Sequence, residues 1–361
     1  VLTAISERSS DLGLKKDFTR KVVTSVLRTA DPIAALNRIA RLLSSVEDPN
    51  FYSLLEDTDG IRSLMVILGF SNFLSSLIMR SPDDYIWLMR KVGISGARPL
   101  QDMRWDLSLA LDPELALDEV SKVLRTNKYR EMLRIGVRDL LGTTTLEETV
   151  TDISSLAEIS VDAAVEAAFD NLKEKHGVPV QTKDHGVQRP GRFCVLGLGK
   201  LGGEELNYSS DIDLYYLYSS HVGMTTGRSS PGGGYRDAVE NHRFFVKMGE
   251  IITKLLSDRT ADGMVFRVDL RLRPEGESGE IAYSLPSLEV YYQSWGRTMD
   301  RLALLKARSV GGDRRLGEEF LGIMVPFVYR RLMDYETLEE IGSLKERIDL
   351  HVREETRGIR D

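Results

Sequence analysis

Cysteine is all but absent: the 361 residues include one, Cys194. A single thiol excludes an intrachain disulfide and any zinc site built on several cysteines, and a reducing, cytoplasmic setting is the expectation. Histidine is nearly as scarce. His176, His185, His221, His242 and His351 show no metal-ligand spacing and receive no role. No apolar run approaches the ~20 residues of a membrane-spanning helix, so no membrane partner is expected. A basic excess is missing too: the formal net charge is -7, which disfavours a general nucleic-acid binder. The first residue is Val1 with no signal-peptide pattern behind it, and residues 357–361 continue a helical pattern without a stop signal. A fragment of a longer protein is the expectation.

What the chain does have is length enough for two or three domains with real cores. Residues 1–176 read as a helical domain. Val22, Val26, Ala34, Ala35, Ile39, Leu42 and Leu43 recur at helical spacing, and Pro32 splits that run because proline brings no N–H. Residues 61–89 read as two or three short helices, broken near Gly69 and at Ser81-Pro82. Residues 113–141 form another pair. Thr145-Leu-Glu-Glu148 has the spacing of a capping box. It opens a long stripe through Leu146, Val150, Ile153, Ala157, Val161, Val165, Phe169 and Leu172, which Gly177 and Pro179 end. Such stripes pack cores.

Residues 177–190 are polar and aperiodic and read as a linker. A second domain is expected over 191–312, followed by a C-terminal helical segment over 313–361. Within them, 219–234 reads as a long mobile Gly/Ser-rich loop and 237–256 as a helix. Residues 263–270 alternate like a half-buried strand, and 281–283 are short and β-like. Residues 288–295 and 298–307 are helix-like, the latter with room for a strand. Residues 317–333 and 338–355 read as helices.

Chemistry concentrates between Arg192 and Tyr218. The apolar run from Phe193 to Leu196 stops at Gly197-Leu-Gly199-Lys-Leu-Gly202-Gly203, and Ser209-Ser210 lead to Asp211-Ile-Asp213 and a second apolar run. The glycines fit G-x-G-x-x-G, but a dinucleotide fold wants its acidic residue about 20 residues further on, at the end of a second strand. Here the acids come well short of that and begin the strand. Residues i and i+2 of a strand share a face, so Asp211 and Asp213 present neighbouring carboxylates, a costly arrangement unless a cation neutralises them. The pattern matches the nucleotidyltransferases of the DNA polymerase β superfamily: a glycine turn, Asp-x-Asp, and a third acid on a later strand. Gly199-Lys200 and Gly202-Gly203 both stand as the turn pair. Asp269, in Phe266-Arg-Val-Asp269-Leu, supplies the third acid, with a salt bridge to Arg267 or Arg271 as the structural alternative. Three carboxylates on neighbouring strands suit two Mg2+ or Mn2+ ions. Arg271 and Arg273 suit bidentate phosphate contact, Lys200 is within reach of phosphate, and Ser209 and Ser210 bond phosphate or cap the turn. The fold class expected is α+β, mostly helical, with a polymerase β-type nucleotidyltransferase sheet flanked by helical regions.

Longer stretches resemble one family. Gly197–Leu214, Phe266–Gly279, Tyr291-Tyr-Gln-Ser-Trp-Gly-Arg297 and Leu305-Lys-Ala-Arg308 are similar to the glutamine synthetase adenylyltransferases, enzymes with an adenylyl-removing and an adenylyl-adding half. Arg273-Pro-Glu-Gly-Glu-Ser-Gly279 and 326–334 resemble the N-terminal, removing half. The resemblance implies phosphorolysis of a tyrosine–AMP bond on glutamine synthetase, with phosphate as substrate and ADP as product. It also implies Mg2+ or Mn2+, metal ligation by Asp211, Asp213 and Asp269, and a PII-type signal protein as regulator. Addition of AMP from ATP is the alternative, and a non-catalytic regulatory module binding a signal protein is the second.

Overall fold

The structure, a computed structural model, describes residues 1–14, 17–94, 96–182, 188–229 and 234–329, with 335, 339–343, 345–347 and 349–350. The chain forms two compact units, one of Val1–Ser160, Glu204–Ser209 and Arg259–Val265, the other of Val161–Gly203, Ser210–Asp258 and Phe266–Asp361. The division falls within the helix Leu146–His176.

The first unit is helical. The run broken at Pro32 becomes the helices Phe18–Val26 and Pro32–Ser45; Asp31 caps the second, accepting from the Ala34 N–H at 2.9 Å. Asp57 and Ser71 cap Thr58–Phe70 and Asn72–Arg80 in the same way, each satisfying an N–H that the helix itself leaves unpaired. The stripes meet in one core that holds Phe18, Val22, Ile39, Leu42, Leu64 and Tyr85. The capping box forms: Glu148 N–H donates to Thr145 Oγ1 at 3.2 Å, and Thr145 N–H to Glu148 Oε2 at 3.1 Å. Beneath it lies a buried ionic cluster. Arg134 donates to Glu131 at 2.6 Å and to Asp152 at 2.9 Å, and Arg138 donates to Asp152 at 3.1 Å.

The second unit is built on a sheet whose strands run β10-β3-β4-β8, with β9 also on β4. Here β3 is Phe193–Gly197, β4 Ile212–Tyr218, β8 Val268–Asp269, β9 Ala282–Ser284 and β10 Arg308–Gly312. β3 is antiparallel to β4 and β10, whereas β8 and β9 run parallel to β4. All of β3 and most of β4 are buried, which is why both read as apolar runs without alternation. One face packs Cys194, Leu196, Tyr215 and Leu217 against Leu288, Leu316 and Phe320. On the other, Phe245 of the helix Asn241–Ser257 stacks on Phe193 and Tyr218, with ring centroids 5.8 and 4.9 Å apart. Burial pushes the Cys194 thiol up to about 12, so it behaves as a small hydrophobe. The fold is α+β and mostly helical.

Several local expectations change. Part of the expected linker is strand: β1 (Pro179–Thr182) pairs with β2 (Gln188–Pro190) and β5 (Met224–Thr225). The Gly/Ser-rich stretch holds β5 and β6 (Arg228–Ser229), and β6 pairs with β7 (Tyr235–Arg236); residues 230–233 lie outside the described residues. Over 263–270 only Val268–Asp269 pairs as strand, since Thr260 and Gly263 close a tight turn instead. Over 298–307 the helix stops at Leu304, and the following Arg308–Gly312 becomes an edge strand with a bulge at Ser309/Gly311. The helix expected over 317–333 is Arg314–Val328, and 330–334 lie outside the described residues, as does much of 338–355.

Candidate active site

The glycine turn sits where β3 ends. Leu198 N–H donates to Asp213 O at 2.9 Å, and the chain turns at Gly199 with φ +52° into a single helical turn, Gly199–Gly202. A Cβ on Gly199 would stand 2.7 Å from Asp213 Oδ2. This glycine keeps open the space beside the carboxylate and takes a φ that other residues resist. Gly202 serves close packing instead, since a Cβ there would meet Lys306 O at 2.0 Å. The N–H groups of Gly202 and Gly203 already donate to Leu198 O and Gly199 O. Of the two candidate pairs, Gly199-Lys200 therefore faces the acids. Lys200 is exposed, and its charge acts on Asp213.

Asp211 immediately precedes β4, and Ile212 N–H donates to Arg267 O at 2.9 Å, which docks the start of β4 on the approach to β8. In the parallel pair the register sets Asp213 directly beside Asp269. Asp213 is half-buried. Burial first, then the charges of Asp269 and Asp211, push its carboxyl up to about 6, while Arg271 and Lys200 pull the other way. The Arg271 guanidinium holds Asp269 below the usual carboxylate range: it donates at 2.6 and 2.9 Å to Oδ2, and Arg271 N–H donates to Oδ1 at 2.8 Å. Arg267 pairs with Asp211.

Not every candidate converges. β8 ends at Asp269, so Asp269, Arg271 and Arg273 do not continue as one strand face. Arg273 instead fastens its own loop, donating to Leu270 O at 2.8 Å, Glu280 O at 3.0 Å, Gly279 O at 3.2 Å and Glu277 O at 3.3 Å. Ser209 belongs to the segment grouped with the helical unit, where its N–H donates to Asn207 Oδ1 at 3.2 Å. Ser210 is half-buried next to Asp211. Arg267 as the partner of Asp211 went unread in the sequence, because its pairing depends on the register of β8. Also unread was a pocket of about 650 Å3 whose walls include Arg271, Tyr291, Trp295 and Arg297. Its trace in the sequence is the stretch Tyr291-Tyr-Gln-Ser-Trp-Gly-Arg297, read there only as part of the family resemblance.

Among the described residues, no group of three or more His, Cys, Asp or Glu side chains is gathered as a ready metal-binding set; Asp211 is turned to Arg267 and Asp269 to Arg271. The donor chemistry nevertheless fits a hard divalent cation, because these are oxygen ligands only. The Asp213 pKa is raised first by burial and then by the charges of Asp269 and Asp211, and that charge repulsion is what such a cation relieves.

The family model of glutamate-ammonia ligase adenylyltransferase matches residues 61–323. The chain belongs to this family. The matched stretch contains every residue of the glycine turn, the three aspartates and the arginine loop. Among curated relatives, a bifunctional glutamine synthetase adenylyltransferase/adenylyl-removing enzyme of Thioalkalivibrio sulfidiphilus is 36% identical over 324 residues, which is 86% of this chain and 32% of the relative. The enzyme of the same description from Pseudomonas aeruginosa is 38% identical over 287 residues, 80% of this chain and 28% of the relative. That of Shewanella woodyi is 36% identical over 80% of this chain and 29% of its own. The chain thus spans about a third of the length of the curated family members it matches.

Proposed function

We propose that this chain removes AMP from adenylylated glutamine synthetase by phosphorolysis, yielding ADP and the unmodified tyrosine. The observation that carries the reading is the register of Asp213 beside Asp269 on parallel strands, behind a glycine turn that leaves the Asp213 carboxylate uncovered. Asp211, Asp213 and Asp269 would hold divalent cations, Mg2+ or Mn2+. Such ions, when bound, neutralise the charge that gathers on the phosphoryl oxygens and on the leaving oxygen.

The side chains account for the rest. An oxygen of inorganic phosphate attacks the AMP phosphorus, the bond from phosphorus to the tyrosine oxygen breaks, and the phenolate takes a proton from solvent. Phosphate is already an anion, so no strong general base is required of this site. The leaving phenol has a pKa near ~10, which makes it a manageable leaving group. Catalysis of this type rests on alignment and electrostatics. Arg271 supplies a guanidinium fork at the carboxylates for the incoming phosphate, and Lys200 supplies a second cation. Arg273 holds the loop that carries Arg271. Assignment to the removing half is supported by the resemblance of 273–279 and 326–334 to that half, and a PII-type signal protein as regulator by the family resemblance.

The test is to incubate the chain with adenylylated glutamine synthetase, phosphate and Mg2+ and to assay ADP. ADP formation with loss of the modification is the expected result. Transfer of AMP from ATP onto glutamine synthetase would assign the adding activity instead. Neither reaction, with all three aspartates intact, would leave a regulatory module.

A further inference from the structure

Arg271 has two faces. One grips Asp269; the other forms part of the wall of the pocket of about 650 Å3, a volume within the ~300–1,000 Å3 of small-molecule sites. Tyr291, Trp295, Arg297 and Met299 line it as well. The helix Leu285–Ser294 buries Leu288 and Tyr292, yet Trp295 at its end is 72% exposed and Met299 is 49% exposed. The backbone N–H of Trp295 donates to Tyr291 O at 2.7 Å, which fixes its main chain at the end of the helix. The facing loop is equally fixed: Arg273 binds its carbonyls, and Tyr283 Oη donates to Pro274 O at 3.0 Å. At its rim Glu275 sits at φ +60°, a conformation that a non-glycine residue keeps only when its surroundings impose it.

The walls bring together the guanidinium of Arg271, which is paired with Asp269, and the exposed Trp295, with Arg273, Arg297, Glu275 and Asp300 also lining the space. A flat heteroaromatic ring carrying a phosphate matches both an indole and a guanidinium, since aromatic side chains take any base by its π-face and a guanidinium suits phosphate. We propose that the pocket is the base subsite of this centre and that Trp295 is its stacking platform for the base of a nucleoside mono- or diphosphate. The proposal rests on the function proposed above and adds to it where the nucleoside lies.

Trp295 is exposed, so substituting it leaves the core untouched. Equilibrium dialysis with Mg2+ would compare ADP with pyrophosphate, which has the anion but no base. Trp295→Ala is expected to weaken ADP about ten-fold and to leave pyrophosphate unchanged, while Trp295→Phe retains most of the ADP affinity. Trp295 emission, read as wild type minus Trp295→Phe, is expected to change with ADP and not with pyrophosphate. ADP affinity unaltered in Trp295→Ala, or an equal loss for both ligands, would overturn the subsite and leave the proposed reaction standing. A wild type that binds neither ligand would overturn both.

Discussion

Asp213 and Asp269 lie in register on the parallel strands β4 and β8, so two carboxylates face one another across a single strand spacing. Like charges placed opposite each other on a sheet destabilise it. The chain moderates this by pairing Asp269 with Arg271 and Asp211 with Arg267, which leaves Asp213, the most enclosed by burial and neighbouring charge, with its affinity for protons raised. Under the proposed function, a cation bound here would take the place of the arginine partners and replace repulsion at Asp213 by attraction.

Replacing Asp213 by Asn keeps the shape and removes the charge. We expect turnover to vanish and the metal-free protein to gain on the order of 1 kcal/mol, after allowance for solvent screening. Thermal unfolding with and without Mg2+ checks both statements: the ion should raise the wild-type Tm and barely move that of the variant. Near wild-type activity in Asp213→Asn would sink the carboxylate reading.

The pH dependence has a definite sign. The Asp213 carboxyl rises from 3.8 to about 6 on folding, so the folded state holds its proton longer than the unfolded state. Its contribution is fully present below about pH 4 and is lost as pH rises through about 6. The stability advantage of Asp213→Asn over the wild type should therefore grow between about pH 4 and 6 and level off above. Paired denaturant titrations of the metal-free proteins at several pH values measure it; a difference independent of pH would refute the shift.

Much of this was legible in the sequence because it is local. The Pro32 break, the Thr145–Glu148 box and the apolar runs of β3 and β4 each depend on neighbours along the chain, and all form as expected. Asp211 and Asp213 stand out because carboxylates at i and i+2 after a glycine turn need a reason, and Asp269 as the acid of a later strand-like run. What the sequence could not show depends on partners distant along the chain. β10 is Arg308-Ser-Val-Gly-Gly312, a poor strand by composition that exists because β3 offers it an edge. Arg273 suits phosphate by its guanidinium alone, but β8 ends at Asp269 and the carbonyls of the following loop claim that guanidinium. The pocket wall at Trp295 is likewise a meeting of segments that the chain keeps apart.

In the helical unit, Arg134 is fully buried and bridges Glu131 and Asp152. Removing it leaves two acids with a lost partner in a dry site. We expect Arg134→Ala to cost about 3–5 kcal/mol, read as a fall in the urea midpoint at unchanged m. A loss below about 1 kcal/mol would mean that Arg98 and Arg138, which pair with the same acids, carry the cluster without it.

The arginine loop separates a ligand role from a fastening role. Arg271 is exposed and meets Asp269 through side-chain bonds, while Arg273 spends its donors on backbone carbonyls of 270–280. Lysine preserves either charge but loses the planar fork. Arg271→Lys should raise the phosphate concentration needed for half-maximal ADP formation several-fold while leaving the loop as resistant to protease as in the wild type. Arg273→Lys cannot hold four carbonyls with one ammonium, so it should admit proteolytic cutting within 270–280 and lower kcat. Phosphate saturation curves and limited proteolysis on both variants decide the matter. If Arg271→Lys leaves the phosphate dependence unchanged while Arg273→Lys alters it without loosening the loop, the phosphate site belongs to Arg273, and the hydrogen bonds that now tie it to the loop must open when phosphate arrives.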